Sequence, residues 1–128
     1  MAYPQILDAT LVKSACHVNG IWHFWPEVPR QDVLNPSDRT KIAEVPLAVY
    51  DQASFAIDAA QAALADWRGR LATERAEILS RWDQLIRAHA DTLAAIVTPE
   101  QGKPLREAKG EVIYGADFFR LAADEATH

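Results

Sequence analysis

At Asp51 the hydrophobic period of this 128-residue chain changes from two to 3.6, and that switch restricts the fold more than any other feature. Upstream, "CHVNGIWHFW" sets Asn19-Gly20 between two β-rich runs. Asn-Gly supplies the two positive φ angles of a type I′ turn, so a tight hairpin is predicted. It pairs Val18 with Ile21, His17 with Trp22 and Cys16 with His23. Pro36-Ser37-Asp38 predicts a turn between extended runs at Asp32 to Asn35 and Lys41 to Val45. Pro26, Pro29 and Pro46 punctuate these strands and suit no central one.

Downstream, four helices are predicted. Asp51 is read as the first N-cap, with Tyr50 and Phe55 at the spacing of a hydrophobic staple. Ala56, Ala59 or Ala60, Ala63 and Trp67 form the apolar stripe of that helix. Thr73 is read as the cap of a second, with Glu74 in its first turn. Leu79, Trp82 and Ile86 run along its apolar line, which Ile78 and Leu85 widen. A third spans about Asp91 to Gln101 around Leu93, Ile96 and Val97. A fourth starts at Pro104, with Leu105, Ala108, Val112, Ala116, Phe119 and Ala123 on one side. Trp22, Trp25, Trp67 and Trp82 are expected in the core. The chain reads as one incomplete domain over 1–128, with hairpin and strands in 1–50 and helices in 51–128. Strands first and helices after is not the βαβ alternation of a complete doubly wound domain. Few short strands are left to cover four apolar stripes.

Charge and composition exclude several functions. The net charge is -5, with 13 basic and 18 acidic residues. Nucleic-acid binding asks for clustered Lys and Arg, so no such partner is expected. Cys16 is the single cysteine, which forbids an intrachain disulfide and points to a reducing compartment. "MAYPQILDATLVK" lacks the basic-then-apolar plan of a signal peptide. No apolar run approaches the roughly 18 residues of a membrane span. A cytoplasmic protein without membrane contact is the expectation.

The stretch "TPEQGKPLREAKGEV" (98–112) resembles a phosphate loop only at first sight. Position 97 is Val rather than Gly, and Lys103 precedes Pro104 rather than Ser or Thr. Gly102, Gly110 and Gly115 do not make G-x-G-x-x-G. Gly102 suits the left-handed end of a helix and Pro104 the first position of the next, so the stretch reads as a corner. Cys16 and His23 would face each other on the hairpin, Cβ atoms roughly 5 Å apart. A thiolate beside an imidazole is a nucleophile arrangement, but no orienting third group or oxyanion donor accompanies it. Cys16, His17 and His23 lack metal-ligand spacing, with the two histidines on opposite faces. Glu100, Glu107, Glu111, Asp117, Asp124 and Glu125 read as a solvated helix face. Glu111, between Gly110 and Val112, is the acid to watch.

Five phrases then stand in order: "VNGIW", "VLNPSDRTKIAEVP", "AIDAAQAALADWR", "TERAEILSRWDQLIRAHADTLAAIVT", and "EQGKPLREAKGEV" followed by "YGADFFRLAADEA". Together they resemble the N-terminal part of the aldehyde dehydrogenase superfamily, nearest the bacterial succinate-semialdehyde dehydrogenases, over about residues 9 to 126. The resemblance implies an α/β fold, of which this chain carries leading strands and helices of the cofactor domain. It implies oxidation of an aldehyde to the acid with NAD or NADP, by a cysteine nucleophile, a glutamate base and an oxyanion-holding asparagine. Those motifs match nothing here, and Cys16 is none of them. The chain is therefore expected to be a fragment, inactive alone, with no catalytic, cofactor-binding or metal residue and no cofactor bound. Pro99 stands where the family carries a helix former, and a kink is expected. Some family members hold a monovalent cation near this region, and Glu111 is the nearest candidate. Exposed stripes lead us to expect self-association or association with a full-length relative. The alternatives are a non-catalytic helical interaction module and a small thiol enzyme on Cys16 and His23.

Overall fold

A computed structural model of the chain describes residues 8–128. Residues 1–7, over half of the stretch read for a signal peptide, lie outside the described residues. After a 3-10 turn at Ala9–Leu11 come β1 (Cys16–Val18), β2 (Ile21–His23), β3 (Arg30–Leu34) and β4 (Lys41–Pro46). Four helices follow: α1 (Tyr50–Gly69), α2 (Ala72–Ala88), α3 (Ala90–Gln101) and α4 (Leu105–Glu125). The fold is α/β, with short strands ahead of the four helices.

The hairpin has the expected register, Cys16 opposite His23, His17 opposite Trp22 and Val18 opposite Ile21. Its turn uses φ of 51° at Asn19 and 78° at Gly20, as the Asn-Gly pair requires. β3 and β4 form a second antiparallel pair, with a bulge between Val33 and Leu34. The turn between them closes on short polar side chains. The Asn35 side-chain oxygen accepts from the Ser37 N–H at 2.9 Å, and Asp38 accepts from the Thr40 N–H at 3.0 Å. Pro46 ends β4 without conflict, because both strands of a two-stranded sheet are edges. Arg30 ties the strand region together. Its guanidinium donates to the Ser14 carbonyl at 2.9 Å and pairs with Glu44 at 2.5 Å.

The helix starts differ from the sequence reading. α1 is capped at Val49, whose N–H donates to Gln52 Oε1 at 3.3 Å. Asp51 thus lies inside the first turn, where its charge still favours the positive end of the dipole. Tyr50 is 83% exposed and forms no staple. α2 is capped at Leu71, whose N–H donates to Glu74 Oε2 at 2.9 Å, and Thr73 lies inside the helix. In both helices a long side chain at N3 reaches back to satisfy an orphan donor, which relieves the N-cap residue of that task. Pro104 precedes α4 as its cap, one residue ahead of the position expected.

Small side chains make the core. Ala90, Thr92, Ala94 and Ala95 are buried on α3, and Ala108, Ala116 and Ala123 on α4. Val18, Val28, Ile42 and Ala43 are buried in the strand region. Leu93, Ile96 and Val97 are only half-buried, contrary to expectation. None of the four tryptophans is buried either: Trp22 and Trp82 are exposed, Trp25 and Trp67 half-buried. Alanine lets α3 and α4 approach closely, and the large side chains splay around that seam. Trp82 of α2 meets Phe119 of α4 with ring centroids 5.0 Å apart. α1 has no buried residue. Its Ala56, Ala59, Ala60 and Ala63 face His17, Val18 and Asn19 across a shallow groove.

Candidate functional site

The helix corner and the β3–β4 turn are about 65 residues apart in sequence and meet in space. α3 runs through Pro99 to Gln101, and Gly102 ends it in the left-handed region at φ 73°. The Gly102 N–H donates to the Thr98 carbonyl at 2.8 Å. A Cβ at Gly102 would lie 2.8 Å from Pro36 Cγ, so only glycine admits this approach of turn and corner. A cleft of about 500 Å³ opens there, with Asn35, Ser37, Thr98, Lys103 and Leu105 in its walls. Thr98 Oγ1 is buried with no hydrogen-bond partner among the described residues. Lys103 Nζ lies 2.5 Å from Glu111 Oε1.

The cleft gathers the Ser37 and Thr98 hydroxyls, the Asn35 amide and the Lys103 ammonium beside apolar side chains. Lys103 is paired with Glu111, which anchors the corner lysine through one carboxylate oxygen. These residues do not fit a dinucleotide. A diphosphate asks for a glycine-rich turn with free N–H groups, whereas the Gly102 N–H is already given to the Thr98 carbonyl and Pro104 carries no N–H.

The hairpin places Cys16 across from His23 as expected, and the imidazole packs among aromatic rings. It stacks on Trp25 at 5.3 Å and meets Phe55 edge-on at 5.4 Å. His23 Nε2 is buried without a hydrogen-bond partner among the described residues. His17 packs on Trp22 at 4.9 Å instead. No group of three or more His, Cys, Asp or Glu side chains comes together for a metal ion among the described residues. Also among those residues, no helix is long and apolar enough to cross a membrane.

Of the acids on α4, Asp117 is bound to α2. Its Oδ1 accepts from Arg87 at 2.6 Å and from Arg120 at 3.3 Å. The Arg87 hydrogen bond, then Arg120, holds the Asp117 carboxyl below the usual aspartate range. Arg87 also pairs with Asp83 at 2.7 Å, one turn back on its own helix. Sequence reasoning found Gly102, Lys103, Pro104 and Glu111. It missed Asn35, Ser37 and Thr98 as their neighbours; the Asn-Pro-Ser turn was the only signal, and nothing in it names the corner it meets.

Residues 25–128 match the model of the aldehyde dehydrogenase family. The chain is 43% identical over 121 residues to the succinate-semialdehyde dehydrogenase [NADP(+)] GabD of Escherichia coli (strain K12), covering 94% of this chain and 25% of that protein. It is 40% identical over 122 residues to the glutarate-semialdehyde dehydrogenase of Pseudomonas putida, with 95% and 25% covered. The crystal structure of an aldehyde dehydrogenase from Brucella melitensis biovar abortus 2308 superposes with a TM-score of 0.90 at 45% identity, over 94% of this chain and 25% of that one. The chain thus spans about a quarter of the length of the relatives it matches. With the family model matched over residues 25–128 and this likeness in sequence and fold, the chain belongs to the aldehyde dehydrogenase family.

Proposed function

We propose that this chain serves as the N-terminal part of an NAD(P)-dependent oxidation of a semialdehyde to its acid, succinate semialdehyde being the leading substrate, and that it has no turnover alone. The carrying observation is the 43% identity to the Escherichia coli enzyme over nearly the whole chain. Relatives named for aspartate and glutarate semialdehydes follow at 39% and 40%. These share a short chain with an acid at one end and an aldehyde at the other. In the reaction, aldehyde, water and NAD(P)⁺ give acid, NAD(P)H and a proton. The chain's own part is structural: α2, α3 and α4 form a layer, and the Lys103–Glu111 pair sets its corner. Its place is the cytoplasm, and it binds no cofactor and holds no catalytic residue. Purified 128-residue protein given succinate semialdehyde with NAD or NADP should show no rise in nicotinamide absorbance. Measurable turnover would sink the proposal.

A second reading, a non-catalytic module that associates with a full-length relative, is favoured by the large apolar side chains that α1, α2 and α4 leave exposed. Co-expression with such a relative should then give a mixed assembly, and its absence on sizing columns counts against this reading.

A further inference from the structure

The tip of the β1–β2 hairpin brings together the two partners of an intramolecular reaction. Asn19 and Gly20 form the turn, and both are exposed. Attack of the Gly20 backbone nitrogen on the Asn19 side-chain amide carbon closes a five-membered imide. The residue after an asparagine controls access to that nitrogen. Gly20 has no side chain, and a Cβ there would meet nothing within 4 Å, so its surroundings are open. The closed turn nevertheless holds the reacting atoms apart. Asn19 has φ 51°, and a left-handed backbone swings the next nitrogen away from the residue's own side chain. The turn must open before the two atoms meet. Opening costs little, because the hairpin is a sheet of its own with three residues in each strand. An isolated pair of strands is marginal in water, and such a segment opens well below global unfolding.

Asn35 is the chain's other asparagine and serves as an internal control. It is half-buried, and its side-chain oxygen accepts from the Ser37 N–H at 2.9 Å. The nitrogen that follows it belongs to Pro36, which has no hydrogen to lose and closes no neutral imide.

We propose that Asn19 is a site of self-modification, gated by opening of the hairpin, at which the asparagine becomes aspartate and isoaspartate. The Gly20 nitrogen loses its proton and bonds to the Asn19 amide carbon. The bond from that carbon to the side-chain nitrogen breaks, and the nitrogen leaves as ammonia. Water then opens the imide. Cleavage at the side-chain carbonyl gives aspartate; cleavage at the main-chain carbonyl routes the chain through the side chain and gives isoaspartate. Nothing is oxidised or reduced, and water is the one co-reactant. Both products put a negative charge at position 19, at the mouth of the groove between the hairpin and Ala56, Ala59, Ala60 and Ala63. Isoaspartate also adds a methylene to the main chain. A two-residue turn cannot absorb it, so the pairing of Val18 with Ile21 is lost, and with it the seat of His23 against Phe55 of α1.

The test incubates the purified 128-residue protein at body temperature in mildly alkaline and mildly acidic buffer, then cuts it with trypsin. The segment 14–30 carries Asn19 and the segment 31–39 carries Asn35. In alkaline buffer the first should gain the one mass unit that exchange of NH₂ for OH brings, and part of it should accept a methyl group from an isoaspartyl methyltransferase. The gain should be slower in acid, absent from 31–39, and lost in Asn19→Gln, whose ring would be six-membered. A free peptide of residues 14–30 should convert faster than the protein, and urea below the unfolding midpoint should bring the protein towards the peptide's rate. An unchanged 14–30 segment in the protein while the free peptide converts overturns the site. A gain that persists in Asn19→Gln, or appears equally in 31–39, does the same. Equal rates in protein and peptide overturn the gating by the hairpin.

Discussion

Gly102 carries two constraints at once. Its φ of 73° is in the left-handed region, and its missing Cβ makes room for Pro36. Gly102→Ala should destabilise by about 1–2 kcal/mol from the backbone alone, with the clash added. Pro36→Ala in the same chain removes the Cγ and should relieve the clash while leaving the backbone part. Thermal melts of both single variants and the double variant check this, and strict additivity would show that the two residues do not interact. The left-handed helix end was legible in the sequence, because Gly-Lys-Pro after an apolar run has one economical reading. The neighbour was not, because nothing local to residue 102 encodes residue 36. Cys16 and His23 teach the converse. Their register was legible from Asn-Gly, but the packing of the imidazole against Trp25 and Phe55 was not, because Phe55 lies on α1.

Among the elements, α2, α3 and α4 hold together by small contacts and two polar clamps, Arg87–Asp117 between α2 and α4 and Lys109–Asp91 between α4 and α3. Ala116 is fully buried at the seam of α4. Ala116→Leu should cost about 1–3 kcal/mol by overpacking, read as a lowered denaturation midpoint with unchanged slope. The Arg87–Asp117 clamp gives the acid limb of stability. Because the Asp117 carboxyl is depressed in the fold, its contribution is present above the ordinary aspartate range and lost as pH falls through its folded value. Asp117→Asn should therefore flatten the fall of Tm between about pH 5 and pH 3, while lowering Tm at neutral pH. A parallel fall in both proteins would assign the acid sensitivity elsewhere; Glu44, held low by Lys41 and then by Arg30, is the next group. Helix existence was legible from period alone. Helix starts were misplaced because short side chains at the N-cap were weighed, and the donors went instead to Gln52 and Glu74 reaching back from N3.

At the scale of the molecule, the described residues bury alanines, two valines, one isoleucine and Thr92, and no large side chain is fully buried. Tyr50, Ile57, Trp82 and Phe118 face outward. Such surfaces favour association, so the isolated protein should show a sedimentation coefficient that rises with concentration and a broad unfolding transition. A sharp, concentration-independent transition in a monomer contradicts this. The sequence by itself determined the order of elements, the hairpin register, the helix corner and the family. Each of these depends on neighbours within a few residues or on a phrase that travels whole. Only the tertiary structure decided which apolar residues are core. A stripe at helical spacing states that a face will be covered but not by what, and alanine seams in α3 and α4 left the tryptophans and phenylalanines exposed or half-buried. Burial depends on what lies across the seam, and on α4 the alanines find that cover within these residues while Tyr114, Phe118 and Leu121 do not.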